Sequence, residues 1–207
     1  MKEQDIAETH RRNLALMGSG EWMNGFADGI LQGLMRCEEL CFRLNALPPS
    51  RREERAALAR EILAEAGEGL ILHSPFHCDF GTNIRIGRNF VGNFNLTILD
   101  EAAVSIGDNV FIGPDCRLCT VVHALLPDQR NAGVMKARPI RIGHNVWLAA
   151  GVTVLPGVSI GDGAVVGAGS VVTKDIPPGV LAMGNPCRVV RELGEDDRVR
   201  PAETTAG

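Results

Sequence analysis

From Ile142 onward an aliphatic side chain returns at every sixth position: Ile142, Leu148, Val154, Ile160, Val166 and Val172. The fifth position of each six is small or branched as well: Val146, Val152, Val158, Ala164, Ser170 and Ile176. Between them stand Gly, Asn, Asp and Ala. This period is neither that of a helix nor that of a long strand. It describes a strand of two or three residues followed at once by a turn, repeated as a stacked solenoid in which no repeat buries its apolar side alone. Gly, Asn and Asp suit the turn because they tolerate the positive φ of tight corners. Three short faces predict a triangular coil of eighteen residues, with the first slot pointing to the prism axis.

The pattern starts more weakly near Ile84 and continues through Ile106-Gly107-Asp108-Asn109-Val110 and Ile112-Gly113. Ile98 and Ile106 are eight apart, so two residues are inserted there. The sixes stop after Val122. The segment 124–139 has no period and contains Pro127, Gly133 and Pro139. A long excursion from a repeat array is more often functional than decorative.

Upstream, Leu31, Leu34, Met35, Cys37, Leu40, Cys41 and Leu44 recur at spacings of three and four, predicting an amphipathic helix over 30–47. Pro48-Pro49 ends it. A second helix is expected over 51–66, capped by Ser50 with Glu53 three residues on and closed by Gly67. Residues 1–20 carry little pattern. The expected organisation is a helical segment over 1–70, a solenoid over 71–193 with its loop at 124–139, and a charged, disordered tail over 194–207.

With 207 residues and a formal net charge of −4, the chain shows no basic stripe of the kind nucleic acid requires. The first twelve residues are polar and no window reaches a membrane span, so a cytoplasmic protein with neither nucleic-acid nor membrane partner is expected. Of six cysteines, only Cys116 and Cys119 form a CxxC pair, with neither a second pair nor histidines at ligand spacing. Free buried thiols, and no metal, are the expectation.

The motifs Gly81-Thr82-Asn83-Ile84, Asn93-Phe94-Asn95-Leu96-Thr97-Ile98, Gly143-His144-Asn145-Val146-Trp147, Pro156-Gly157-Val158-Ser159-Ile160-Gly161-Asp162 and Val172-Thr173-Lys174-Asp175-Ile176-Pro177-Pro178 resemble those of the galactoside, maltose and nodulation-factor O-acetyltransferases. The similarity runs from about Pro75 to Leu193. It implies a left-handed parallel β-helix, a homotrimer, and transfer of acetyl from acetyl-CoA to a sugar hydroxyl. A hydroxyl needs a base to become a nucleophile at neutral pH, and imidazole is the usual one. Of His10, His73, His77, His123 and His144, the resemblance selects His123 as general base, at the point where the regular strand meets the 124–139 loop. The family usually has Pro after this His; here it is Ala124. Direct attack on the thioester leaves the cysteines without a role.

The resemblance also implies acceptor contacts at Asn93, Asp79, Glu101, Met135 and Asp28. Ser and Asp of the family fall on Asp79 and Glu101, which puts the identity of the acceptor in question. The main-chain N–H of Ala150 takes the oxyanion-donor position. At the solenoid edge Gly151, Ala168 and Gly169 leave room for a narrow pantetheine arm, and Trp147 either stacks on it or packs a subunit contact; Thr173 and Lys174 match the family's coenzyme contacts, and Arg188 and Arg191 match residues near its phosphates. Alternatives are a non-sugar alcohol as acceptor, or a solenoid with a purely structural role. A carbonic anhydrase on the same coil would need two more well-placed histidines, and a serine acetyltransferase a longer helical N-terminal domain.

Overall fold

The computed structural model describes residues 3–202. Its body is a parallel β-solenoid with three walls. The first wall carries Phe76–Cys78, Leu96–Leu99, Arg117–Cys119, Thr153–Val154 and Val171–Val172. The second carries Glu65–Ala66, Ile84–Ile86, Val104–Ile106, Ile140–Ile142 and Ser159–Ile160. The third carries Ile71–Leu72, Val91–Gly92, Phe111–Ile112, Trp147–Leu148, Val165–Val166 and Val180–Met183, with Arg188–Glu192 added antiparallel at its end.

The hexad slots explain the walls. Ile142, Leu148, Val154, Ile160, Val166 and Val172 are all buried on the axis, and so are the fifth-slot residues from Val146 to Ile176. Fully burying such a side chain is worth about 1.5–3 kcal/mol, so the stack of coils is the main stabilising element. The fourth slot turns the corner in the left-handed backbone region at Asn145, Gly151, Gly157, Gly163 and Gly169. Where that residue is Asn, its amide also ties coil to coil: Asn89 Nδ2 donates to Asn109 Oδ1 at 2.9 Å, and Asn109 Nδ2 to Asn145 Oδ1 at 3.2 Å.

Coil length changes along the prism. Arg141 pairs with Ser159, Trp147 with Val165 and Thr153 with Val171, which gives the expected eighteen residues. Earlier, Arg85 pairs with Ser105, Val91 with Phe111 and Thr97 with Arg117, which gives twenty. The two extra residues lie at the corner between the first and second walls. That corner holds Asp79, Asp100 and Glu101.

The excursion at 124–139 is more ordered than its lack of period implied. Val121–His123 and Val134–Ala137 form an antiparallel ribbon, with a short helix at Pro127–Asn131 between them, and Met23–Asn24 adds a third strand. Ala124 donates its N–H to Val134 O at 2.9 Å, a bond that Pro at this position could not make.

Three N-terminal helices cover one end: α1 (Glu3–Met17), α2 (Ile30–Ala46) and α3 (Arg52–Ile62). α2 matches its apolar spacing; Cys37, Leu40, Cys41 and Leu44 are buried. α1 falls where no pattern was visible, and Met17 is fully buried at its end. α3 is shorter than expected, because Glu65–Ala66 already pairs with Arg85-Ile86 as the first strand of the solenoid. Arg51, not Ser50, occupies its cap, without a side-chain cap bond, and pairs with Glu54 instead. In the tail, Glu195–Asp197 forms a turn and Asp197 folds back onto Arg191. The last part of the tail, 203–207, lies outside the described residues.

Candidate active site

The corner between the first and second walls is where the ribbon leaves, and a cavity of about 390 Å³ opens beside it. His123, Asp79, Glu101 and Met135 all line it. Thus four of the residues that the sequence selected from 79 to 135 meet in one place. Met17, Phe26, Ile30 and Leu34 from the N-terminal segment and Phe80 from the corner itself supply an apolar wall, and Arg130 stands at the loop side. Arg130 is occupied in holding the loop: its Nη1 donates to Leu125 O at 2.9 Å. His123 is exposed at the end of its strand, and no hydrogen bond to its imidazole is formed among the described residues.

Buried acids underlie the cavity. Asp100 is fully buried; its Oδ1 accepts from the N–H of Phe80 at 2.9 Å and of Asp79 at 3.1 Å, and Oδ2 from Asn83 N at 3.3 Å. Burial nevertheless pushes its carboxyl up to about 6, against those donors. Thr120 Oγ1 lies 3.2 Å from Glu101 Oε2, 2.8 Å from Leu99 O and 3.0 Å from Ala102 N, whose N–H it accepts. Glu101 is pushed up to about 9, first by burial and then by its hydrogen bond and charge contact with Asp79. Asp79 is raised too, by burial, despite the proton that Glu101 offers it. Burial thus holds both carboxyls toward the protonated form, and they titrate as a pair rather than independently. Asp100 and Thr120 were not selected from the sequence. The eight-residue step between Ile98 and Ile106 marked the corner that holds Asp100 and gave no sign of Thr120.

The remaining acceptor candidates lie elsewhere. Asp28 does not line the cavity; its side chain is exposed and its backbone oxygen accepts from Asn13 Nδ2 at 2.8 Å. Asn93 sits at a different corner, between the third and first walls, where its Oδ1 accepts from Phe94 N at 2.8 Å. That corner also holds Ala150 and Ala168. Phe94, Pro114, Ala150 and Ala168 stack there one per coil: Phe94 O accepts from Asp115 N, Pro114 O from Gly151 N, and Ala150 O from Gly169 N, all at 2.8–2.9 Å. Ala150 and Ala168 are exposed, and the N–H of Ala150 has no partner among the described residues.

The coenzyme candidates divide in the same way. Trp147 is half exposed on the third wall. Arg188 and Arg191 are on the strand added to that wall, where Arg191 meets Asp197 at 2.8 Å through Nη1. Thr173 and Lys174 follow Val171–Val172, at the His123 corner of the first wall, and are exposed. So His123, Asp79, Glu101, Met135, Thr173 and Lys174 belong to one corner. Asn93, Trp147, Ala150, Ala168, Arg188 and Arg191 belong to the third wall and the corner that follows it.

Family models match three stretches: "Maltose acetyltransferase hexapeptide capping motif" over 16–67, "Hexapeptide repeat of succinyl-transferase" over 103–121 and "Bacterial transferase hexapeptide (six repeats)" over 139–174. The galactoside O-acetyltransferase of Escherichia coli K12 is 44% identical over 180 residues, 87% of this chain and 89% of that one. The chain belongs to the hexapeptide-repeat O-acetyltransferases. Nodulation protein L of Rhizobium meliloti 1021 is 46% identical over 173 residues, covering 84% of this chain and 94% of its own length. A solved galactoside acetyltransferase in complex with coenzyme A superposes with a TM-score of 0.84 at 40% identity, covering 97% of this chain and 98% of that one. The family, the enzyme class and acetyl-CoA as co-substrate, each expected from the sequence, therefore hold for this O-acetyltransferase. No helix among the described residues is long and apolar enough to cross a membrane.

Proposed function

We propose that this O-acetyltransferase moves acetyl from acetyl-CoA to a hydroxyl of a sugar, with His123 as general base and the site completed by a second copy of the chain in a homotrimer. The observation that carries the reading is the meeting of an unengaged imidazole with two carboxyls and a methionine around one cavity. The relatives named galactoside O-acetyltransferase support a sugar acceptor.

The acceptor hydroxyl lies against His123 and gives up its proton as its oxygen attacks the thioester carbonyl. The carbonyl oxygen becomes an oxyanion, held by the free N–H of Ala150, and the collapsing intermediate expels the coenzyme thiolate, which takes the proton back from the imidazolium. Within one chain His123 and Ala150 stand at different corners. A neighbouring prism that presents its Asn93–Ala150–Ala168 corner to the His123 corner brings them together. Asp79 and Glu101 hold acceptor hydroxyls with their carboxyl groups, which line the same cavity as His123. Thr173, Lys174, Arg188 and Arg191 bind the coenzyme, and Arg191 exchanges Asp197 for phosphate. Asp28 has no part in this arrangement unless the α1–α2 connection moves.

The experiment is an acceptor panel with acetyl-CoA, read by thiol release, on the wild type and His123→Ala. Turnover should fall by about 10²–10⁴ in the variant while coenzyme affinity stays. Equal rates in the two proteins would remove His123 from the chemistry.

A further inference from the structure

Three cysteines from two distant parts of the sequence converge under α2. Cys37 and Cys41, one helical turn apart, point to the same side of α2, and Cys78 ends the first strand of the first wall. Cys37 Sγ is 3.4 Å and Cys41 Sγ 3.8 Å from Cys78 Sγ, and all three sulfurs lie within 4.8 Å of one another. None is in a disulfide, and their residues are 1%, 4% and 9% exposed. Cys41 and Cys78 also line a second cavity, of about 540 Å³ and open to solvent, which gives the cluster an entry path.

We propose that Cys37, Cys41 and Cys78 form a three-thiolate site for a thiophilic d¹⁰ metal ion, Cu(I) or Zn²⁺, that pins α2 to the first wall. A metal placed about 2.3 Å from each sulfur in tetrahedral geometry sets the sulfurs about 3.8 Å apart, which is the scale of this triangle. Soft thiolates select these ions over the hard cations that carboxylates prefer. Three sulfurs satisfy Cu(I) in trigonal coordination. Zn²⁺ takes a water from the adjoining cavity as its fourth ligand. Binding forms three metal–sulfur bonds and releases the thiol protons to solvent, with no change of oxidation state. Ordinary core packing accounts for burial of each thiol, but not for three sulfurs meeting edge to edge where helix and strand offer apolar neighbours in plenty. The site adjoins Asp79, which lines both cavities, but the ion has no catalytic step in it.

The test uses the full-length chain, reduced and stripped of metal under anaerobic conditions. It is titrated separately with Zn²⁺ and with Cu(I) against a chromophoric competitor. One ion should bind per chain in at least one of the two titrations, and the thermal midpoint should rise with it. Cys78→Ser should weaken binding by more than the roughly 10–100-fold typical of losing an outer-sphere partner, while Cys116→Ser should bind as the wild type does. Should Cys78→Ser not fold, alkylation mapped by mass spectrometry answers on the wild type: the ion should protect Cys37, Cys41 and Cys78 and leave Cys119 reactive. Failure of both ions to bind stoichiometrically, protection of no cysteine in this cluster, or unchanged affinity in folded Cys78→Ser would overturn the site.

Discussion

His123 and Met135 are partners across the antiparallel ribbon that leaves the solenoid after Cys119. Opposed residues of such a pair project to the same side, so Met135, itself buried, forms the floor on which the imidazole stands at the cavity edge. Met135→Ala should leave coenzyme affinity intact and lower kcat/KM for the acceptor. The buried side chain's loss should cost about 2–5 kcal/mol of stability. Steady-state kinetics in both substrates, beside a denaturant titration, check the two effects.

Ala150 offers an unusually clean test of a main-chain donor. Pro114 occupies the equivalent slot one coil earlier at the same corner, and Pro156 the same hexad slot at the next, so the backbone there accepts proline. Ala150→Pro should fold normally and still bind coenzyme, yet lose about 10²–10³ in kcat through the missing N–H. Single-turnover rates at saturating acetyl-CoA measure it. A kcat equal to wild type would clear the Ala150 N–H of any part in catalysis.

Glu101 makes stability depend on pH. Its folded-state pKa, pushed up to about 9 chiefly by burial, lies above the ordinary carboxylate value. Its stabilising contribution is therefore complete below that ordinary value and is lost as pH rises toward 9, at up to about 1.4 kcal/mol per pH unit. Glu101→Gln keeps a neutral side chain throughout. The variant should show a flatter stability profile between about pH 5 and 9, read by denaturant midpoints across that range.

Two glycines should fail for different reasons. A Cβ on Gly107 would lie 2.7 Å from the carbonyl carbon and oxygen of Gly143 in the next coil, so Gly107→Ala forces two coils apart. Gly163 has open space around it but φ near +67°. Gly107→Ala should cost about 1–3 kcal/mol from overpacking, and Gly163→Ala about 1–2 kcal/mol from conformation alone. Thermal melts will rank them, and only Gly107→Ala should disturb the spectrum of the folded state.

The solenoid was legible because a stacked coil repeats one local solution: aliphatic slots from Ile142 to Val172 face the axis, and turn residues such as Asn145 mark the corners. Met135, Asp79 and Glu101 were legible through resemblance, and the cavity joins them to His123. Helix α1 was not, since residues 1–20 carry little regular spacing in the sequence; Met17 at its end is buried. Nor were the raised carboxyls of Asp79 and Glu101, whose shift arises first from burial at a twenty-residue coil, or the meeting of Cys37, Cys41 and Cys78. The CxxC pair was the visible cysteine signal, yet the convergent sulfurs come from a helix and a strand that only the tertiary fold brings together. Asp28 shows the converse, a position matched by resemblance that the cavity leaves out.

The division of the site between two corners is tested most directly by co-expressing His123→Ala with Ala150→Pro and assaying the mixed assemblies. In a cyclic trimer each mixed assembly has one junction that pairs an intact His123 with an intact Ala150 from its neighbour. Random mixing should then restore roughly one quarter of wild-type activity from two nearly inactive chains. Mixed trimers, verified by mass, that remain as inactive as either parent would mean that one chain supplies both groups, and would contradict the account.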